Sequence, residues 1–403
     1  MLELDDVLAA RDRVEEVARW TPLDRSHTFS KMTGADVHLK LENHQRTGSF
    51  KIRGATNRIR TFTDAERDAG VVTASAGNHA QGVALAATRS GVDAKVVMPE
   101  HAPVSKLKAT RNYGAEVVLY GTDYNDAQER AEAIAAEEGR TYVHAFNDWA
   151  VMAGQGTLGL EIIEDLPSVD TVVVPIGGGG LISGIATAIK GRSPDTRVVG
   201  VQAAGAASLA DSLEKGEVVA LEEVDTIADG IATRHVGEKP FQVIQTRVDE
   251  VVTVPDDEIA EAVMLLLERA KTLVEGAGAV SLAAVLNDAF DYADDETVVP
   301  LLSGGNIDLN FLNTVVKRGL IQHGRYLTLC TVLEDRPGSL RELLDIIAEH
   351  QANIVAIEHD RALRDIDMSD TEVELELETH GPDHVETLLA ALRDHGYDVE
   401  VIG

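Results

Sequence analysis

From the N-terminus to about Gly319, short runs of β-branched and aliphatic residues alternate with Ala-rich amphipathic stretches. Val37–Glu42, Gly70–Ser75, Ala94–Pro99, Ala115–Tyr120, Thr171–Ile176, Arg197–Ala203 and Thr297–Gly305 read as strands. Ala80–Ser90, Tyr124–Glu138, Leu181–Lys190 and Asp257–Leu273 read as helices between them. Continuous apolar strands separated by helices indicate parallel sheets covered on both faces. More than one such group predicts an α/β region of two lobes with a cleft between them.

The pattern changes near Arg325. Strand Tyr326–Leu333, helix Pro337–His350, strands Asn353–His359 and Thr371–Glu378, helix Pro382–His395 and strand Asp398–Ile402 follow. That order, βαββαβ, predicts an α+β ferredoxin-like unit. Val373, Leu375 and Leu377 alternate with acids, so one face of that sheet is buried and the other solvated. The expected domains are 1–320 and 325–403, with no internal repeat.

Charge alters the picture of partners. Lys plus Arg total 36 against 68 Asp plus Glu in 403 residues, a formal charge of −32. Such an excess excludes polyanionic partners and anionic membrane surfaces, which the chain would repel. Arg outnumbers Lys by 25 to 11. Residues 325–403 alone carry 6 basic and 19 acidic side chains, so the excess extends over both parts. An acidic, Lys-poor chain fits work in concentrated salt, where screening reduces self-repulsion. The single cysteine, Cys330, excludes an intrachain disulfide and points to a reducing cytoplasm. No apolar run reaches the roughly 18 residues of a membrane helix, and the acidic start MLELDD is unlike a signal peptide.

Four segments could carry chemistry. Lys51 stands between Phe50 and Ile52 with Gly48 and Gly54 nearby; apolar surroundings lower an amine's pKa and make it a usable nucleophile or base. Gly177-Gly178-Gly179-Gly180 lies between a strand and a helix, where backbone N–H groups and the helix dipole converge on an anion. Ser75-Ala76-Gly77-Asn78-His79 repeats that placement and suits a carboxylate; His79 itself reads more readily as a packing or capping residue than as a base. Ser303-Gly304-Gly305-Asn306 ends the last strand of the α/β region, where ligands bind in parallel sheets. The GxGxxG at Gly154–Gly159 follows its strand candidate, Thr141–Phe146, at too great a distance for a dinucleotide fingerprint, and reads instead as close packing at a helix start.

SFKIRGA, SAGNHAQGVA, VPIGGGGLISG, IADGIA and LLSGGN, in this order, resemble the threonine dehydratase (threonine ammonia-lyase) branch of the pyridoxal-phosphate (PLP) enzymes. The resemblance covers residues 1–320 and implies the two-lobed tryptophan-synthase-β fold, fold type II, with a smaller lobe of about 52–150 inserted in the larger. The segment Asp335-Arg336-Pro337-Gly338-Ser339-Leu340 resembles the first turn of an ACT domain, an amino-acid-sensing module.

By that resemblance, Lys51 forms the Schiff base with PLP, Phe50 packs beside the ring and Asn78 meets its 3-hydroxyl oxygen. Gly177, Gly178, Gly179 and Gly180 hold the phosphate, Ser303 faces the pyridine nitrogen, and Gly230 and Glu275 lie near the ring. Ser75, Gly77, Asn78 and His79 receive the substrate carboxylate. The implied reaction is deamination of L-threonine to 2-oxobutyrate, and of L-serine to pyruvate, with Lys51 as base. The resemblance also implies isoleucine as an effector near Gly338 and Asn353, and a homodimer or tetramer; it places no metal ligand here. A sister eliminase or racemase acting on serine or 3-hydroxyaspartate is the alternative. Ala76 stands where serine racemases carry a second Ser, which disfavours racemisation.

Overall fold

The computed structural model describes residues 1–360 and 369–402 and divides into two compact units, Met1–Leu309 and Asn310–Gly403. The expected boundary at 320 therefore falls inside a helix, Leu309–Gln322, that lies almost wholly in the second unit.

In the first unit, β1 (Leu23–Arg25) and β2 (Asp36–Leu41) open the larger sheet. Next, β3 (Val71–Ala74), β4 (Ala94–Met98), β5 (Glu116–Leu119) and β6 (Thr141–Tyr142) form a smaller parallel sheet in the order β5-β4-β3-β6. Finally, β7 (Thr171–Pro175), β8 (Arg197–Ala203), β9 (Glu250–Val254) and β10 (Thr297–Leu302) return to the larger sheet, ordered β1-β2-β10-β7-β8-β9. Only β1 in it runs antiparallel to its neighbour. The central strands β7 and β10 are apolar and almost wholly buried, as a sheet covered on both faces requires.

Strand β6 stops at Tyr142, short of the expected Phe146. The carbonyl of Val143 is taken by two side chains, the Thr73 hydroxyl at 2.8 Å and His79 Nε2 at 3.0 Å, instead of a neighbouring strand. The expected helix to Leu273 ends its regular part at Leu265, followed by a wider π turn over Leu266–Ala270 and a left-handed Lys271.

Gly154–Gly159 lies within the buried helix Trp149–Asp165, past its first turn. A Cβ on Gly154 would sit 2.6 Å from the Arg53 carbonyl, one on Gly156 2.7 Å from that of Gly184, and one on Gly159 2.9 Å from that of Ile185. These glycines let the helix touch the backbones of Lys51–Arg60 and Gly180–Arg192, the two helices that begin at the lysine and the glycine loop. Close packing is confirmed, although in the helix body instead of at its start.

Arg53, 1% exposed, fastens the lysine helix to the core. It donates to Glu42 at 2.8 Å and to Glu161 at 2.6 Å, and Lys40 reaches Glu161 at 2.9 Å. Breaking such a buried cluster on one side leaves an unpaired charge.

The second unit carries β11 (Tyr326–Glu334), β12 (Asn353–Asp360), β13 (Asp370–Glu378) and β14 (Val399–Val401), antiparallel in the order β12-β13-β11-β14. Helices Ser339–Glu349 and Pro382–Asp394 pack on the face that presents Leu327, Leu329, Val373, Leu375 and Leu377. On the other face, Glu358, Glu374, Cys330 and Glu400 stand opposite one another across all four strands. Burial, with the carboxylates of Glu372, Glu374 and Glu400, pushes the Cys330 thiol up to about 11.

Candidate active site

Loops at the carboxyl ends of β2, β3, β7 and β10 meet in one place, as the sheet rule predicts. Lys51 opens its helix, and the preceding turn is tied to the end of β10. Phe50 N–H donates to the Ser303 carbonyl at 3.1 Å, and Ser49 pairs with Gly304. Lys51 Nζ lies 5.0 Å from the centre of the Phe50 ring and donates to the Ala145 carbonyl at 3.3 Å. Burial lowers this amine to about 8, against the opposing pull of Glu275. The amine therefore loses its proton more readily than an ordinary lysine.

Asn78 begins the helix Asn78–Ser90, and both ends of its amide are used. Its Nδ2 donates to Glu275 Oε1 at 2.6 Å, while its Oδ1 accepts from Asn306 Nδ2 at 2.7 Å. Asn306 also donates to the Thr47 carbonyl at 2.7 Å, so one triad links the lysine turn, the β3 loop and the β10 loop. Burial raises the Glu275 carboxyl above its ordinary range. Gly230, in a short turn, approaches the same place: a Cβ there would lie 2.8 Å from Ala277 and 3.3 Å from Glu275 Oε1. Ser303, 3% exposed, donates its hydroxyl to the Ala277 carbonyl at 3.2 Å, a rotor that can re-aim.

Gly177, Gly178, Gly179 and Gly180 are walled on three sides. A Cβ on Gly178 would enter the Phe146 ring, one on Gly180 would lie 2.9 Å from Phe146 Cα, and one on Gly177 would lie 2.8 Å from Ile231. Gly179 has φ +85 beside Pro240, a conformation only glycine takes easily. What the loop offers is backbone: the N–H groups that open the helix Gly180–Arg192 and have no acceptor within it.

The β3 loop differs in having room. Ser75 Oγ accepts the Gly77 N–H at 3.1 Å, and a Cβ on Gly77 would meet no protein atom within 4 Å. Ser75, Ala76, Gly77 and Asn78 are all partly exposed, whereas His79 is buried. The His79 imidazole points inward to the Val143 carbonyl, and burial, then the charge of Lys51, lowers it to about 3. His79 is a neutral packing residue, so only its backbone N–H, at the helix start, is available to an anion.

Sequence reasoning placed Asn306 in a candidate segment without giving it a role, and missed the His144-Ala145-Phe146 turn entirely. Both are brought in by pairing across more than ninety residues, for which no local pattern exists. Of the expected effector residues, Gly338 caps the helix Ser339–Glu349 at φ +107 with open space at its Cβ position, and Asn353 starts β12, donating to Glu378 at 2.9 Å. Among the described residues, no group of three or more His, Cys, Asp or Glu is placed to hold a metal ion. No helix among them is long and apolar enough to cross a membrane.

Residues 14–304 match the family model of pyridoxal-phosphate dependent enzymes, and 328–396 match that of the ACT domain. The chain belongs to the pyridoxal-phosphate-dependent enzyme family, with fold type II and a C-terminal ACT domain. At finer grain it is 47% identical to an L-threonine ammonia-lyase of Thermotoga maritima and 49% identical to one of Geobacter sulfurreducens, each matched over all of both chains. Among solved structures it is similar to the processed threonine deaminase isoform 2 of Solanum lycopersicum, with TM-score 0.76 and 41% identity over 78% of this chain and 92% of that one. Maize serine racemase is similar at TM-score 0.75 and 35% identity, over 80% and 98% respectively.

The residues fit the cofactor. An amine lowered toward neutrality suits condensation with an aldehyde, and a glycine loop closed to side chains at a helix start suits a phosphate.

Proposed function

We propose that this chain deaminates L-threonine to 2-oxobutyrate and ammonia, and L-serine to pyruvate, under amino-acid control through its ACT domain. The observation that carries this reading is the joining of Lys51, the glycine loop and Ser303 in a chain alike over its whole length to L-threonine ammonia-lyases.

Bound pyridoxal phosphate supplies the electron sink for the carbanion left by α-proton loss. Lys51 is the group that would hold it and that takes the α-proton of the bound amino acid. Gly177–Gly180 would receive the phosphate on backbone N–H groups, and Phe50 would pack beside the ring. Ser75, Gly77 and the N–H groups of Asn78 and His79 receive the substrate carboxylate, which fixes the α-hydrogen toward Lys51. Asn78, its amide set by Glu275 and Asn306, would present its remaining N–H to the ring oxygen. Ser303 offers the ring nitrogen a neutral hydroxyl where a carboxylate would hold a proton. A neutral hydroxyl there would favour prompt loss of a β-leaving group, here the hydroxyl, which departs as water once protonated, the α-proton taken by Lys51 balancing the one it gains. The released enamine takes up water and loses ammonia.

Serine racemisation is the second reading, favoured by the likeness to the maize enzyme. Ala76 opposes it, because a methyl group cannot return a proton from the other face. Isoleucine at a site including Gly338 and Asn353, a dimer or tetramer, a cytoplasmic location and a requirement for high salt belong to the same proposal, the last on the charge of −32.

The test is a product assay in molar salt with threonine, serine and 3-hydroxyaspartate, each with and without isoleucine. 2-Oxobutyrate from threonine, absent in Lys51→Ala, is the expected result. Full activity in Lys51→Ala, or a preference for 3-hydroxyaspartate, would sink the reading.

A further inference from the structure

The turn after β6 touches two parts of the site. Its Ala145 carbonyl accepts the Lys51 amine at 3.3 Å. Its Phe146 ring and backbone close off the Cβ directions of Gly178 and Gly180. Asn147 extends it, since its Oδ1 accepts the Lys239 N–H at 3.0 Å and Gly237, beside it, donates to the Gly178 carbonyl at 3.0 Å.

One side chain shapes that turn. His144 Nδ1 accepts the N–H of Phe146 at 3.2 Å and the N–H of Asn147 at 3.0 Å. The His144 ring also meets the Phe146 ring edge-on, with centroids 4.5 Å apart. An atom that accepts two N–H groups carries no proton, which fixes the tautomer with hydrogen on Nε2. The surroundings agree: burial, then the charge of Lys51, lowers this imidazole to about 4, with Lys239 acting the same way and Asp148 and Glu132 opposing.

We propose that His144 is a positioning residue, whose Nδ1 folds the turn that presents the Ala145 carbonyl to Lys51 and the Phe146 ring to the glycine loop. Without that acceptor, two backbone N–H groups compete for other partners and the turn loses its single shape. The lysine amine and the phosphate cradle then lose their common spacer. His144 acts through its neighbours in the turn, Phe146 and Asn147.

This inference rests on the cofactor role of Lys51 and the glycine loop, so its test reads cofactor retention and does not depend on the substrate. The probe is pyridoxal phosphate, titrated into the cofactor-stripped full chain, with borohydride fixation at Lys51 located by peptide mass. His144→Leu keeps the bulk and removes the acceptor; His144→Asn keeps an acceptor oxygen in nearly the same place. The expected result is affinity weakened about tenfold or more in His144→Leu, and restored to within about threefold of wild type in His144→Asn. A folded His144→Leu chain with wild-type affinity overturns the proposal. So does a His144→Asn chain as weak as His144→Leu, because the acceptor would then be irrelevant. Should His144→Leu fail to fold, the Asn variant alone decides, by binding as wild type or not. A wild-type chain that fixes the cofactor at Lys51 yet leaves threonine untouched defeats the threonine reading and leaves this comparison intact.

Discussion

The N–H of Phe50 donates to the carbonyl of Ser303 at 3.1 Å, although more than 250 residues separate them. Phe50 precedes the lysine and Ser303 ends β10, so one backbone bond sets the spacing between the amine and the hydroxyl. The separation follows from β2 and β10 being adjacent parallel strands whose loops leave the sheet at the same edge.

The Lys51 amine gives a pH signature. A protonated amine cannot attack an aldehyde, and this one is lowered to about 8. Cofactor association with the stripped chain is expected to quicken about tenfold per pH unit below that value and then level. The stripped chain is also expected to gain stability between pH 8 and the ordinary lysine range, because there the unfolded lysine still binds a proton that the folded one has lost. Rapid-mixing absorbance checks the first; a rate still climbing steeply at pH 10 would show an ordinary lysine.

Arg53 tests the cluster under the lysine helix. Arg53→Leu leaves Glu42 and Glu161 buried with only Lys40 nearby, an expected loss of roughly 3–5 kcal/mol. Urea unfolding of wild type and variant measures it. Combining it with Glu42→Gln and Glu161→Gln should recover part of the loss, and a single variant as stable as wild type would contradict the assignment.

Two glycines separate fold from binding. Gly178→Ala pushes a methyl into the Phe146 ring and is expected to lower both stability and cofactor affinity. Gly77→Ala meets no protein atom within 4 Å, so unfolding should shift by less than about 1 kcal/mol, while KM for threonine should rise about tenfold, the methyl standing where we propose the carboxylate binds. Equal KM values in Gly77→Ala and wild type would place the substrate elsewhere.

Salt should act on the second unit through β12 and β13. Glu358 and Glu374 are directly opposed, an unfavourable like-charge pair. Glu374→Gln is expected to stabilise this unit by roughly 0.2–1 kcal/mol in dilute buffer, and by almost nothing at 1 M salt, where the Debye length is about 3 Å. Hydrogen exchange along β13 at both salt concentrations reads the difference; equal gains at both would rule out screening as the cause.

Much of this was legible locally. Strand, glycines and helix in succession mark the loop at Gly177–Gly180, and an amine flanked by Phe50 and Ile52 marks Lys51, because each depends on neighbours in the chain. The role of Asn306, the His144 turn and the pairing of Arg53 with Glu161 were not, since each depends on partners met only through sheet order or helix crossing. The expected strand through Phe146 failed for a related reason: Thr73 and His79 take the Val143 carbonyl, and no periodicity in residues 141–146 reveals that competition.

The order of the larger sheet also governs when the site can exist during synthesis. Strand β10, the last of that sheet to leave the ribosome, is inserted between β2 and β7. Until residues 297–302 emerge, β2 and β7 lack the strand that pairs with both of them, and each has an unpaired edge. Lys51 is made early but waits, without Ser303 or Asn306 beside it, for nearly the whole first unit to be translated. A site that joins Lys51 to Ser303 is thus complete only late in synthesis, and the edges of β2 and β7 stay open until then.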